Sequence, residues 1–77
     1  MRKIQILGMG CPKCRRLAEN AKAAAQELGI EFKLEKVVDI DDITEFGVAL
    51  TPALAIDGEV KSEGRIPSSE EIKRFLA

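Results

Sequence analysis

Cys11 and Cys14 are the only cysteines of this chain, and they stand three apart in Gly10-Cys11-Pro12-Lys13-Cys14-Arg15, where an apolar, strand-like run gives way to a helical pattern. Two thiols so placed can exchange with a disulfide. A cysteine at a helix cap faces unpaired backbone N–H groups and the positive end of the helix dipole, and both favour its thiolate. A second cysteine one turn further on is close enough to close a disulfide. Exchange needs one exposed thiolate to attack and a neighbouring thiol to resolve the mixed disulfide. Cys11 is the expected nucleophile and Cys14 the expected resolving thiol. A thiol of pKa ~8.5 is only ~3% thiolate at neutral pH, whereas a pKa near 7 gives about half. That gain requires roughly 2 kcal/mol, the upper end of what a helix terminus supplies. Lys13, Arg15 and Arg16 are candidates for the remainder, and equally for an ordinary solvated helix face.

The same residues admit a second chemistry. Gly8-Met9-Gly10-Cys11-Pro12-Lys13-Cys14 also resembles the Gly-Met-x-Cys-x-x-Cys loop of soft-metal carriers, in which Cys11 and Cys14 would hold Cu(I) or share a Zn(II) ion. The chain has no histidine, so a tetrahedral zinc site within one copy would need carboxylates for its other two ligands. Met9 in such a loop usually packs inward, which is also its ordinary reading as a core residue.

With 77 residues the chain has room for one domain, residues 1–77, and one small site. Twelve basic residues against thirteen acidic ones leave a net charge of -1, which gives no global attraction to nucleic acid or an anionic membrane. The three aromatics are all Phe, a poor supply of base-stacking platforms. The first apolar run, interrupted by Gln5, is too short for a signal peptide or a membrane span. These features predict a cytoplasmic monomer, a compartment in which a CxxC pair is more often catalytic or metal-binding than a staple.

The elements that must position the thiols follow from periodicity. Ile4, Ile6 and Leu7 mark a first strand. From Pro12, suited to a first helical position, Leu17, Ala21, Ala24 or Ala25, and Leu28 share a helix face, and Gly29 supplies a left-handed stop. Phe32, Leu34 and Val38 alternate as a second strand, broken at Lys36. Asp39 caps a short helix with Ile40, Ile43 and Phe46 inward, ended by Gly47. Ala53–Ile56 and Glu59–Lys61 flank the tight turn Asp57-Gly58. Ser68-Ser69-Glu70-Glu71 reads as a capping box opening a last helix that buries Ile72, Phe75 and Leu76. Strand–helix alternation predicts parallel pairing through a right-handed crossover, and the hairpin adds an antiparallel edge. Val48, Ala49, Leu50 and Ala53 are expected to form an apolar collar beside the cysteines, or simply core.

The order strand, helix, strand, helix, strand, strand, helix, with Cys11-Pro12-Lys13-Cys14 near the start and Thr51-Pro52 before the hairpin, resembles the thioredoxin fold at its minimal length. The resemblance spans essentially the whole chain and is closest to the short redox-active disulfide proteins between thioredoxin and glutaredoxin. Soft-metal carrier domains instead run strand, helix, strand, strand, helix, strand. The resemblance implies an α/β fold with a mixed four-stranded sheet and helices on both faces. It also implies a thiol–disulfide oxidoreductase with no cofactor beyond a Cys11–Cys14 disulfide. Cys11, Cys14, Pro12 and Lys13 would be catalytic, and a cis Thr51–Pro52 bond would lie against the cysteines where substrate binds. Its partners would be disulfide-containing proteins or small molecules and an upstream reductase. The sequence departs from thioredoxins in carrying Gly10 where a Trp precedes the first cysteine, and Gln5 where a buried Asp stands. Glu35 or a water is then the candidate base for Cys14. From glutaredoxins it departs in offering Glu63-Gly64-Arg65 where a Gly-Gly pair and an acidic cap hold glutathione.

Overall fold

The computed structural model of the chain describes residues 2–8 and 12–77. The strand β1 (Arg2–Leu7) is buried along its second half, as expected of a central strand covered on both faces. It is followed by α1 (Pro12–Leu28), β2 (Phe32–Val37), α2 (Ile40–Glu45), β3 (Ala53–Ile56), β4 (Glu59–Glu63) and α3 (Ser69–Leu76). The sheet order is β2-β1-β3-β4, with β1 parallel to β2 and antiparallel to β3, and β3 antiparallel to β4. This is the mixed four-stranded α/β architecture of a minimal thioredoxin-like fold.

Side-chain alternation divides the interior into two layers. Ile4, Ile6, Leu54 and Ile56 face α1 and α3, where they meet Cys14, Leu17, Ala21, Ala24, Ile72 and Leu76. Leu7, Ala53 and Ala55 face the other way, toward Ile43 of α2, with Val37, Phe46 and Val60 packed around them. The small residues of α1 at positions 18, 21, 24 and 25 are all buried, so both Ala24 and Ala25 lie inward.

Several terminations are made by the residues that announced them. Asp39 caps α2 by accepting from the Asp41 N–H at 2.8 Å. Gly29 (φ 67°) and Gly47 (φ 77°) take the left-handed conformation after their helices. Asp57 (φ 53°) and Gly58 (φ 85°) are both left-handed, the signature of a primed two-residue hairpin turn.

Elsewhere the periodicity misleads. Ile40 is 63% exposed rather than inward, because α2 is only six residues long and enters from β2, the edge strand of the sheet among the described residues. Val38 falls past the end of β2 and is exposed, as is Leu28 in the last turn of α1. The last strand runs two residues beyond Lys61, since a register shift between Leu54 and Ala55 lets Ser62 and Glu63 pair with Leu54 and Ala53. Only half of the capping box forms. The Ser68 hydroxyl accepts from the Glu71 N–H, but the Glu71 carboxylate is engaged by the Arg65 guanidinium, which holds it below the usual carboxylate range. Phe75 is half-buried beside the fully enclosed Ile72.

Candidate active site

Of the predicted site residues, Pro12, Lys13 and Cys14 lie in the first turn of α1. Pro12 opens the helix and is exposed, as is Lys13; with Arg16 they border a small depression. No acidic residue occupies the first turn of α1, and Lys13, Arg15 and Arg16 make no ion pair among the described residues. Cys14 turns inward, 6% exposed, into the layer beneath α1. The expectations for Met9, Gly10 and Cys11 lie outside the described residues.

The wall opposite Cys14 comes from the approach to β3. The Thr51–Pro52 peptide bond is cis, Thr51 is exposed and Pro52 is buried. Two hydrogen bonds fasten this loop to the end of β4, from the Gly64 N–H to the Pro52 carbonyl at 3.0 Å and from the Ala49 N–H to the Glu63 carboxylate at 3.2 Å. Leu50 is largely exposed on this rim, whereas Ala53 is fully enclosed in the layer under α2 and belongs to the core rather than to a collar.

Gly8 joins the two halves. A Cβ on Gly8 would clash with the Cys14 Sγ and lie 3.8 Å from the Pro52 Cα, so the helix thiol, the end of β1 and the proline meet at one point. Periodicity assigns Gly8 no role. Its sequence signals are its place at the end of an apolar strand and at the head of the Gly8-Met9-Gly10-Cys11 run.

Glu35 is not placed to serve Cys14. Gln5 and Glu35 are register partners on β1 and β2, and the Gln5 amide donates to the Glu35 carboxylate at 3.4 Å. Both point to the α2 side, where they line an open cleft with Val38, Asp39, Asp42 and Phe46. Cys14 packs on the opposite side of the sheet with Ile4 and Ile6, and strand parity puts residue 35 on the face that Leu34 does not take. Lys3 and Lys33 complete the surroundings of Glu35, at 3.3 and 3.8 Å.

Similarity to known proteins extends along the whole chain. A family model described as a thioredoxin domain matches residues 2–77. A thioredoxin of Methanothermobacter thermautotrophicus is 49% identical over 77 residues, covering all of both chains. The chain belongs to the thioredoxin family. A thioredoxin of Methanocaldococcus jannaschii is likewise 49% identical over 73 residues, 95% of this chain and 84% of that one. A second protein of Methanothermobacter thermautotrophicus, described as a probable thioredoxin, is 37% identical over 65 residues, 80% of this chain and 75% of its own. In this chain the residue of β1 beside Ile4 and Ile6 is Gln5, whose amide faces away from the helix thiol.

Proposed function

We propose that the chain is a thiol–disulfide oxidoreductase acting through Cys11-Pro12-Lys13-Cys14. The observation that carries this reading is the burial of Cys14 in the first turn of α1 at the point where Gly8 and Pro52 meet, in a chain of the thioredoxin family. Cys11 attacks a substrate disulfide, one substrate sulfur leaves as a thiolate, and a mixed disulfide forms. Cys14, as thiolate, then attacks the Cys11 sulfur, releasing the second substrate thiol and closing the Cys11–Cys14 disulfide. Two electrons pass from the dithiol to the substrate, and an upstream reductase restores the dithiol. Thr51 and Pro52 offer the surface along which the substrate backbone lies. Pro12 fits the first helical position without an N–H to satisfy, and Lys13 adds positive charge beside the thiolate. The protein works as a cytoplasmic monomer without a further cofactor, on disulfide-containing proteins or small molecules.

Cysteine substitutions test the assignment of roles. Cys11→Ser abolishes attack on a disulfide substrate, and Cys14→Ser accumulates a mixed disulfide through Cys11, detectable by intact mass under non-reducing conditions. Equal, slow alkylation of both thiols at neutral pH overturns the roles. Tight one-to-one Cu(I) binding with no disulfide reduction overturns the function in favour of metal carriage.

A further inference from the structure

Among the described glycines Gly8 is the exception. Gly29, Gly47, Gly58 and Gly64 all have left-handed φ, which accounts for glycine at each. The φ of Gly8 lies outside that region, so a left-handed backbone is not the reason for glycine there. What it lacks is space. A Cβ there would overlap the Cys14 Sγ well inside van der Waals contact and stand 3.6 Å from the Cys14 Cβ. Neither side can readily retreat. The Gly8 N–H donates to the Val37 carbonyl at 3.0 Å, pinning the end of β1 to β2, while Cys14 is held in α1 among Leu17, Ile6 and Leu54. The missing side chain of Gly8 is therefore the seat of the Cys14 sulfur.

We propose that Gly8 is a positioning residue for the dithiol reaction, fixing where the Cys14 sulfur stands for its attack on Cys11. This rests on the thiol–disulfide reading above. In the resolving step the Cys14 thiolate forms a bond to the Cys11 sulfur as the Cys11–substrate bond breaks. The electron pair leaves on the substrate sulfur, which takes a proton from water. The step needs the three sulfurs in line. A methyl at position 8 forces the Cys14 side chain into another rotamer or lifts α1, and either moves the attacking atom while leaving Cys11 able to start the reaction.

Dithiobis-nitrobenzoate separates the two steps, because its first nitrothiolate is released by Cys11 and its second by Cys14 closing the disulfide. Gly8→Ala leaves the first phase within about twofold and slows the second between about tenfold and a hundredfold, the scale of an ångström-sized misplacement. A double-mutant cycle on the reduced proteins reads the contact without any chemistry. Gly8→Ala lowers Tm by about 5–20 °C when Cys14 is present, and by far less in a Cys14→Ala background, where the new methyl takes the place of the sulfur. If Gly8→Ala alone does not fold, recovery of folding in the Gly8→Ala/Cys14→Ala protein supports the seat. An unchanged second phase overturns the proposal, as does an equal loss of Tm in both backgrounds. A wild-type protein that is derivatised at both thiols without closing a disulfide overturns the dithiol reading instead, and the cycle still decides whether Gly8 seats the sulfur.

Discussion

At the scale of single residues, the site depends on two glycines that act for opposite reasons. Gly8 gives up volume to a sulfur; Gly64 gives up a dihedral. Gly64 has φ 73°, and its N–H holds the Pro52 carbonyl, so it sets the height of the wall facing Cys14. A Cβ at Gly64 would also stand 3.0 Å from the Leu50 Cδ1. Gly64→Ala is expected to lose about 1–2 kcal/mol from the left-handed backbone alone. Adding Leu50→Ala recovers only the part due to crowding. Urea denaturation of the single and double variants checks both statements, and equal stability of Gly64→Ala and wild type would remove Gly64 from this role. Neither contact was legible locally: Gly8 meets a residue six positions on, in another element, and Gly64 meets a loop twelve residues back.

At the scale of elements, much was legible, because α1, α2 and α3 each carry a cap or a stop that local physics enforces, and β1 and α1 a clear period. Asp39, Ser68, Gly29 and Asp57-Gly58 act as their types predict. What escaped was context. A bulge in β4 resets its alternation, and an edge strand leaves Ile40 uncovered, and neither is a property of the segment concerned. The hairpin turn shows how one local signal acquires a distant task. The Asp57 carboxylate accepts from the Lys3 N–H at 2.9 Å and from the Arg2 guanidinium at 2.6 Å, while the Asp57 N–H donates to the Lys3 carbonyl at 2.8 Å. The Lys3 N–H, followed by the Arg2 charge, holds the carboxyl of Asp57 below its ordinary value of 3.8. A carboxyl lower in the folded chain than in the unfolded one stabilises the fold above the ordinary value. That contribution disappears as pH falls through the folded value. Wild type should therefore melt higher than Asp57→Asn at neutral pH, with the gap closing below about pH 3.8. A gap that stays constant into acid would show that the carboxylate charge contributes nothing.

At the scale of the whole molecule, one sheet keeps two interiors apart. The layer under α1 and α3 holds Cys14, and the layer under α2 holds Gln5 with Glu35. Folding stability and thiol placement therefore share the first layer. Leu17, fully buried one turn after Cys14, bears on both. Leu17→Ala should cost about 2–5 kcal/mol. The whole chain has about 4–12 kcal/mol at its disposal by the per-residue norm. Denaturant unfolding should show that loss, together with faster alkylation of Cys14 in the folded protein as its cover loosens. Stability loss without greater Cys14 reactivity would separate the two. The fold class was readable because alternation and helix faces agree along the chain, whereas the division of labour between the layers depends on which residues the pleat sends to each side.

Arg2 has a use at this scale that its sequence position hides. Its guanidinium reaches both the hairpin turn at Asp57 and the Leu76 carbonyl at the end of α3, at 2.7 Å. It thereby draws residues 2 and 76 together at the end of β1 remote from Gly8. Probes attached at residues 2 and 76 would thus depart from one corner, away from the point where Gly8 meets Cys14.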